Sequence, residues 1–292
     1  MKLCKPSFEI WEQPVGLEGV YKQIEKVGRV CYKSENKITE DSAKPFVDRM
    51  IKSSHGAMLE HGTVYLAMPM GTMLPIETSD WSKYTKNPYS KGFKVYEVDG
   101  QNRLAVTTNL RVLVENNWLD DLKYICEPTE YHERRVTVHF VCDRGVSHEF
   151  VRHRVFSFAQ ESTRYCNYSK DKFGNELTFI QPCWLNGEVL KLYEPYHTVI
   201  RDKSPESAFI ANLNNVERDY LDLIGLGWKP QEARAVLPNS LKTELVVTGF
   251  VSDWNHFFDL RARGTTGAPH PQAKELAEPL MKEFITRKYI NS

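Results

Sequence analysis

The chain has 292 residues with 38 Lys plus Arg against 38 Asp plus Glu, a formal net charge of zero, so no global field draws it to nucleic acid or anionic lipid and any anion must be held by locally clustered cations. Hydrophobic residues make up 41%, aromatics 12% and charged residues 26%, which excludes collagen-like, coiled-coil and wholly disordered classes. No uncharged apolar run approaches the ~18 residues of a membrane span, and the opening Met1-Lys2-Leu3-Cys4-Lys5-Pro6 has no apolar core of a signal peptide; a soluble, cytoplasmic, globular protein without membrane contact is expected.

The first apolar-periodic segment runs from about Leu17 to Val30, where Val20, Ile24, Val27 and Val30 fall on one helical face. A second covers about Asp41 to Ile51. Gly62 to Met70 alternates and is rich in Val, Tyr and Leu, as a strand should be. From Gly71 to Asn102 the pattern decays into Pro, Gly, Thr, Ser and Lys, which reads as a long surface insertion. Arg103 to Thr108 is expected as a strand and Leu110 to Cys126 as one or two helices. In Arg134 to Val141, residues Val136, Val138 and Phe140 share one strand face and Arg135, Thr137 and His139 the other. Ser147 is read as the cap of a short helical run from His148 to Arg152. An irregular stretch, Asn167 to Pro182, precedes a long helical region of about Asn186 to Leu226, interrupted near Ser204-Pro205. Lys229-Pro230-Gln231-Glu232 opens another helix, ended by Pro238. Leu241 to Val251 reads as a strand, Trp254 to Arg263 and Pro271 to Lys288 as helices. The length allows two domains of about 150 residues or one larger one; helices and strands mixed without regular βαβ alternation favour the α+β class.

The six cysteines (Cys4, Cys31, Cys126, Cys142, Cys166, Cys183) are scattered without a C-x-x-C pair and are expected as reduced, buried thiols. No metal site is expected. His148-Glu149-Phe150-Val151-Arg152-His153 is H-E-x-x-x-H, and its spacing of five turns the second His about 140° away on a helix, unlike a zincin.

The densest chemistry is Arg152-His153-Arg154 followed by Gln160, Ser162, Arg164 and Tyr165 in an otherwise neutral chain. Two guanidiniums flanking an imidazole offer rigid forks of donors that match phosphate or pyrophosphate oxygens. Phe156 and Phe158 alternate with polar residues, so one side of the segment is anchored in apolar surroundings while its polar side faces something else. Further candidates are His55 to His61, Arg234 on the helix that Pro238 ends, and Asn255 to Arg261. A single-strand nucleic-acid module, gripping through Arg and interleaved aromatics, is the non-enzymatic alternative; zero net charge and the lack of a basic stripe weigh against it.

As a set these residues resemble the flavin-dependent thymidylate synthases. Arg152-His153-Arg154, seven residues, then Ser162 is their R-H-R-x7-S signature; His55 to His61 resembles H-x4-E-H, Ala233 to Asn239 resembles A-R-x-x-L-P-N, and Phe257 to Arg261 resembles F-F-x-L-R. The resemblance implies one α+β domain over residues 1–292, with a central, mostly antiparallel sheet flanked by helices and insertions near 71–102 and 167–183, assembled as a homotetramer with shared active sites. It implies FAD, with dUMP converted to dTMP by reductive methylation, 5,10-methylenetetrahydrofolate giving the carbon and NADPH the reducing equivalents. His55, Glu60, Arg152, His153, Arg154 and His256 are the implied FAD contacts; Glu149, Gln160, Ser162, Arg164, Arg234 and Arg261 are the implied dUMP contacts. The chain departs from the family in its longer loop from Arg261 to His270 and in His256, where several relatives carry Asn.

Methylation at uracil C5 requires that carbon to become nucleophilic. Pro182-Cys183 is followed by Trp184 rather than His, so a covalent cysteine route is not expected. The alternative is to stabilise enolate-like charge on the uracil carbonyls with a fixed cation, for which Arg261 is the candidate. Ser162, the second candidate for the chemistry, has no local His or Lys as an activating base and is read as a hydrogen-bond donor.

Overall fold

The computed structural model describes residues 1–70, 81–194 and 203–291. In chain order the elements are β1 (Lys2–Cys4), β2 (Ser7–Trp11), α1 (Gly16–Tyr32), α2 (Ala43–Lys52), α3 (Gly56–Leu59), β3 (Thr63–Pro69), α4 (Ser82–Thr85), β4 (Lys91–Val98), β5 (Gln101–Asn109), α5 (Leu110–Glu115), β6 (Arg135–Asp143) and α6 (Arg144–Phe150). They continue as β7 (Ser157–Gln160), β8 (Thr178–Ile180), α7 (Gly187–Leu190), α8 (Pro205–Gly225), α9 (Pro230–Ala233), β9 (Lys242–Phe250), α10 (Val251–Phe258) and α11 (Pro271–Thr286).

The centre is a four-stranded sheet in the order β2-β6-β9-β7, antiparallel throughout. A second antiparallel sheet, β3-β5-β4, and a parallel pair, β1-β8, complete the strands among the described residues. The α+β expectation with mostly antiparallel strands therefore holds. One face of β6 sends Val136, Val138, Phe140 and Cys142 into a core with Trp254, Phe257 and Phe258 of α10 and Leu276, Leu280 and Phe284 of α11. Each fully buried side chain of this kind contributes roughly 1.5–3 kcal/mol. The other face is covered by α1, whose Val27 and Val30 pack with Trp11, Ala159 and Val246, while Val20 and Ile24 turn to a core with Val47, Leu66, Val106 and Leu113. A further core surrounds α8, where Leu213 and Tyr220 meet Phe179 of β8.

Several expectations are corrected. Residues 71–80 lie outside the described ones, but the rest of the expected insertion is ordered: α4, then β4 hairpinned onto β5. The irregular 167–182 stretch contains β8, paired with β1 far away in sequence. The 186–226 helical region is interrupted near Ser204-Pro205 as expected, with α7 and α8 separate elements and Ser204 capping α8 through its hydroxyl; residues 195–202 lie outside the described ones. α9 passes after one turn into a 3₁₀ turn, Arg234–Val236. α10 begins at Val251 and passes into a π-helical turn, Asp259–Arg263. All six cysteines are free, but only Cys142 and Cys166 are buried; Cys4, Cys31 and Cys126 are half-buried and Cys183 is exposed.

Candidate active site

The β6–α6 junction sets the site. Asp143, not Ser147, caps α6: its Oδ1 accepts from the backbone N–H of Val146 at 2.6 Å. Ser147 is fully buried inside the helix, its hydroxyl donating to the Arg144 carbonyl and accepting from Gln160 Nε2. After seven helical residues the chain turns through Arg152, His153 and Arg154 into β7. Phe156 pins that turn, its ring 4.6 Å from Trp254. The ring lies against Gly249 of β9, where a Cβ would fall 2.0 Å from it, so only glycine admits this approach. Arg152 and Arg154 remain exposed, whereas His153 is 7% exposed.

The π-helical turn after α10 delivers Arg261 to this place. Arg261 Nε donates to His153 Nε2 at 3.1 Å, Nη1 to Glu149 Oε2 at 2.5 Å and Nη2 to the Glu149 carbonyl at 3.0 Å. Burial, and then the positive charges of Arg261 and His256, push the His153 imidazole down to about 4. His153 is thus neutral, with Nε2 an acceptor. His256 is exposed, its ring centroid 6.0 Å from that of His153.

Arg154 also borders a cleft of about 450 Å³, together with Glu60, Lys91, Arg135, Phe250 and Asp253. Arg135 donates to the Glu60 carbonyl at 2.9 Å, to Thr63 Oγ1 and to Ser157 Oγ, but its buried Nε has no partner. None of the described carboxylates forms an ion pair with it, because Glu60 is paired with Arg111 and Asp253 with Lys91. Burial lowers Arg135 to about 10. Arg135 is half-buried and has no carboxylate partner among the described residues, which leaves positive charge at the cleft wall that a phosphate would complete. Arg135 and Lys91 escaped the sequence reading. The signal for Arg135 was its place with Thr137 and His139 on the polar face of β6.

The remaining candidates form a second group. Ser162 N–H donates to the Cys31 carbonyl at the end of α1, and Ser162 Oγ accepts from Arg164 N–H. Arg164 is exposed, its Nε donating to Gln231 Oε1 at 3.3 Å, and Arg234 lies exposed on the next turn from Gln231. Exposed Tyr165 lies beside Tyr32, ring centroids 5.1 Å apart and the planes tilted by 47°. Gln160 is tied inward, its Nε2 donating to Ser147 and Thr243 hydroxyls. No hydrogen bond or ion pair among the described residues joins Ser162, Arg164 or Arg234 to the Arg261 group. In the H-x4-E-H segment, His55 is exposed at the start of α3, whereas His61 is fully buried with Nδ1 on Thr248 Oγ1 at 2.8 Å, a tie between α3 and β9. Exposed Cys183 has its thiol raised by partial burial and by Glu275, which disfavours the thiolate.

Fold and site together define an α+β protein whose R-H-R turn and adjoining cleft are laid out for an anionic ligand. Residues 128–287, more than half of the chain, match the family described as thymidylate synthase complementing protein, and the chain belongs to that family. It is similar to the flavin-dependent thymidylate synthase of Mycolicibacterium gilvum, 34% identical over 125 residues that make up 41% of this chain and 46% of the relative. It also resembles that of Pyrococcus horikoshii, 28% identical over 147 residues, 50% of this chain and 53% of the relative. The chain therefore spans about half the length of the curated relatives it matches. Among solved structures, a UMP/dUMP methylase, PolB, from Streptomyces cacaoi bound with 5-Br dUMP aligns over 98% of this chain and 93% of its own at 14% identity, with a TM-score of 0.44. Thymidylate synthase X from Helicobacter pylori with FAD and dUMP aligns over 54% of this chain and 74% of its own at 17% identity, with a TM-score of 0.37. Both superpositions are too loose to carry a structural argument.

Proposed function

We propose that the protein is a flavin-dependent thymidylate synthase that methylates dUMP to dTMP in the cytoplasm, with 5,10-methylenetetrahydrofolate as carbon donor and NADPH as reductant. The observation that carries this reading is Arg261, held beside the R-H-R turn whose Arg154 borders a cleft lined also by half-buried Arg135, which has no carboxylate partner among the described residues. Arg154, Arg135 and Lys91, with Glu60, His55, Arg152, His153 and His256 around them, would hold FAD, its phosphates meeting the guanidiniums. When bound, the reduced flavin supplies the hydride that completes the methyl group.

The chain's own residues supply position and charge. A guanidinium has five N–H groups, and the three contacts of Arg261 leave two for a uracil carbonyl, where charge builds as C5 becomes nucleophilic. Ser162, Arg164 and Arg234 take the nucleotide, with Gln160 behind them; Glu149 enters through Arg261. In the homotetramer the resemblance implies, a second copy would help to bring this group and Arg261 to one ligand. No cysteine attack is needed in this scheme, and the raised thiol of Cys183, the residue after Pro182, supports that reading.

Anaerobic dTMP formation from dUMP, methylenetetrahydrofolate, NADPH and FAD tests the proposal. Arg261→Ala is expected to lose ~10²–10³-fold in kcat, about 2.7–4 kcal/mol of barrier, and Cys183→Ala to keep wild-type turnover. A dead Cys183→Ala with an intact Arg261→Ala overturns it.

A further inference from the structure

Arg261 is engaged on every nitrogen by two residues of its own chain, one on either side of the first arginine of the R-H-R turn. Glu149 meets it twice, through the carboxylate on Nη1 and the backbone carbonyl on Nη2, while His153 Nε2 accepts from Nε. A carboxylate turned toward a nucleotide phosphate or a uracil carbonyl would repel it; one committed to a guanidinium forms a neutral pair that substrate can approach. Phe257 lies 5.0 Å and Phe156 6.2 Å from the His153 ring, fixing its plane. On the other side, the π-helical turn is closed by Arg263 on Asp259 and by Thr265 N–H on the Asp259 carbonyl. A π turn re-aims the side chains it carries, and here it brings Arg261 onto two residues more than a hundred positions earlier in the chain.

We propose that Glu149 and His153 are positioning residues that clamp Arg261 in its working orientation, so that the flavin-binding turn and the pyrimidine-facing arginine share one histidine. The inference rests on the reading of Arg261 given above. It changes the part assigned to Glu149, from a direct nucleotide contact to a residue acting through Arg261, and gives His153 a second part beyond the flavin. Because Nε2 is occupied as an acceptor, His153 carries its proton on Nδ1 and donates only from there.

The test uses the FAD-loaded protein and three variants. Glu149→Ala is expected to keep its visible flavin absorbance and to lose about 10²-fold in kcat, the scale of an Å-sized misplacement of a reacting group, with a much smaller change in KM for dUMP. Glu149→Gln, whose amide oxygen still accepts from Nη1, is expected to recover most of that loss. The third arm does not depend on turnover. The charged groups facing His153 are Arg261 and His256, with Glu149 beyond Arg261, and NMR titration of the imidazole should find its midpoint near 4 in the wild type and shifted upward in Arg261→Ala. Unchanged kcat in Glu149→Ala overturns the clamp. So does a Glu149→Gln no better than Glu149→Ala, since the carboxylate would then act by its charge on substrate. A His153 titration unmoved in Arg261→Ala overturns it as well. If the wild type forms no dTMP, the function proposed above fails and the titration alone decides the clamp.

Discussion

Arg135 shows how one side chain turns a polar strand face into a binding wall. Its alternation with Val136 places it opposite the core, as the sequence period requires, yet that face is enclosed and its Nε is left without an acceptor. Arg135→Met is expected to weaken FAD binding by about 10- to 100-fold, the loss of one charge-assisted hydrogen bond worth ~1.5–3 kcal/mol, which an absorbance titration of the apoprotein measures; unchanged affinity would place the phosphates elsewhere. At this scale the nearness of the R-H-R turn and Arg261 was legible, since Arg261 Nε donates to His153 Nε2, whereas Ser162 has no hydrogen bond to that group among the described residues. What was not legible was which histidine of a pair does what. His55 and His61 look equivalent in sequence, but one is exposed and the other is a buried strut on Thr248, a difference set by packing against β9.

Among the elements, those with a long, clean period were readable: α1 and α11 by their apolar stripes, β6 and β9 by alternation and β-branched content. The ones missed are short or atypical. β4 is an edge strand whose Val95 and Val98 are both exposed, so its pattern carries no core signal, and β1 and β8 exist only because residues far apart in sequence meet. Ser147 was a plausible cap by type, yet β6 runs on to Asp143 and the helix starts earlier than the apolar pattern suggested. The contact between β9 and the R-H-R turn gives an element-level prediction. Gly249→Ala puts a methyl where the Phe156 ring lies, and overpacking of this kind costs about 1–3 kcal/mol. A lowered Tm together with weaker flavin retention is expected; an unchanged Tm would mean that the turn yields without cost.

At the scale of the whole molecule, His61, His153 and Glu244 share the direction in which acid acts, against the opposing shift of Asp143, whose buried carboxyl is raised. Burial, joined by Arg135, holds His61 down to about 3, and burial with Arg261 and His256 holds His153 down to about 4. An unfolded imidazole takes its proton near 6.5, so below that pH the unfolded chain binds more protons than the folded one and stability falls as pH falls. The contribution is complete above about 6.5, and each imidazole removes at most about 3 kcal/mol by pH 4. Glu244 acts in the same sense: burial raises its carboxyl, but His139, Lys242 and Lys33 outweigh it and hold it far below the usual carboxylate range, so its share is lost on acidification too. Thermal melts between pH 7 and pH 4 should show a steadily falling Tm; a flat profile would contradict neutral burial of both histidines. The shared histidine has one more consequence. In the site proposed above, His153 would touch the coenzyme on one edge and steady the pyrimidine's anchor on the other, which would make the two ligands thermodynamic partners: whatever factor dUMP applies to the dissociation constant of FAD, FAD must apply to that of dUMP. Measured in either order, the two ratios should be equal and depart from one, and cutting the contact at Arg261 should return both to unity together.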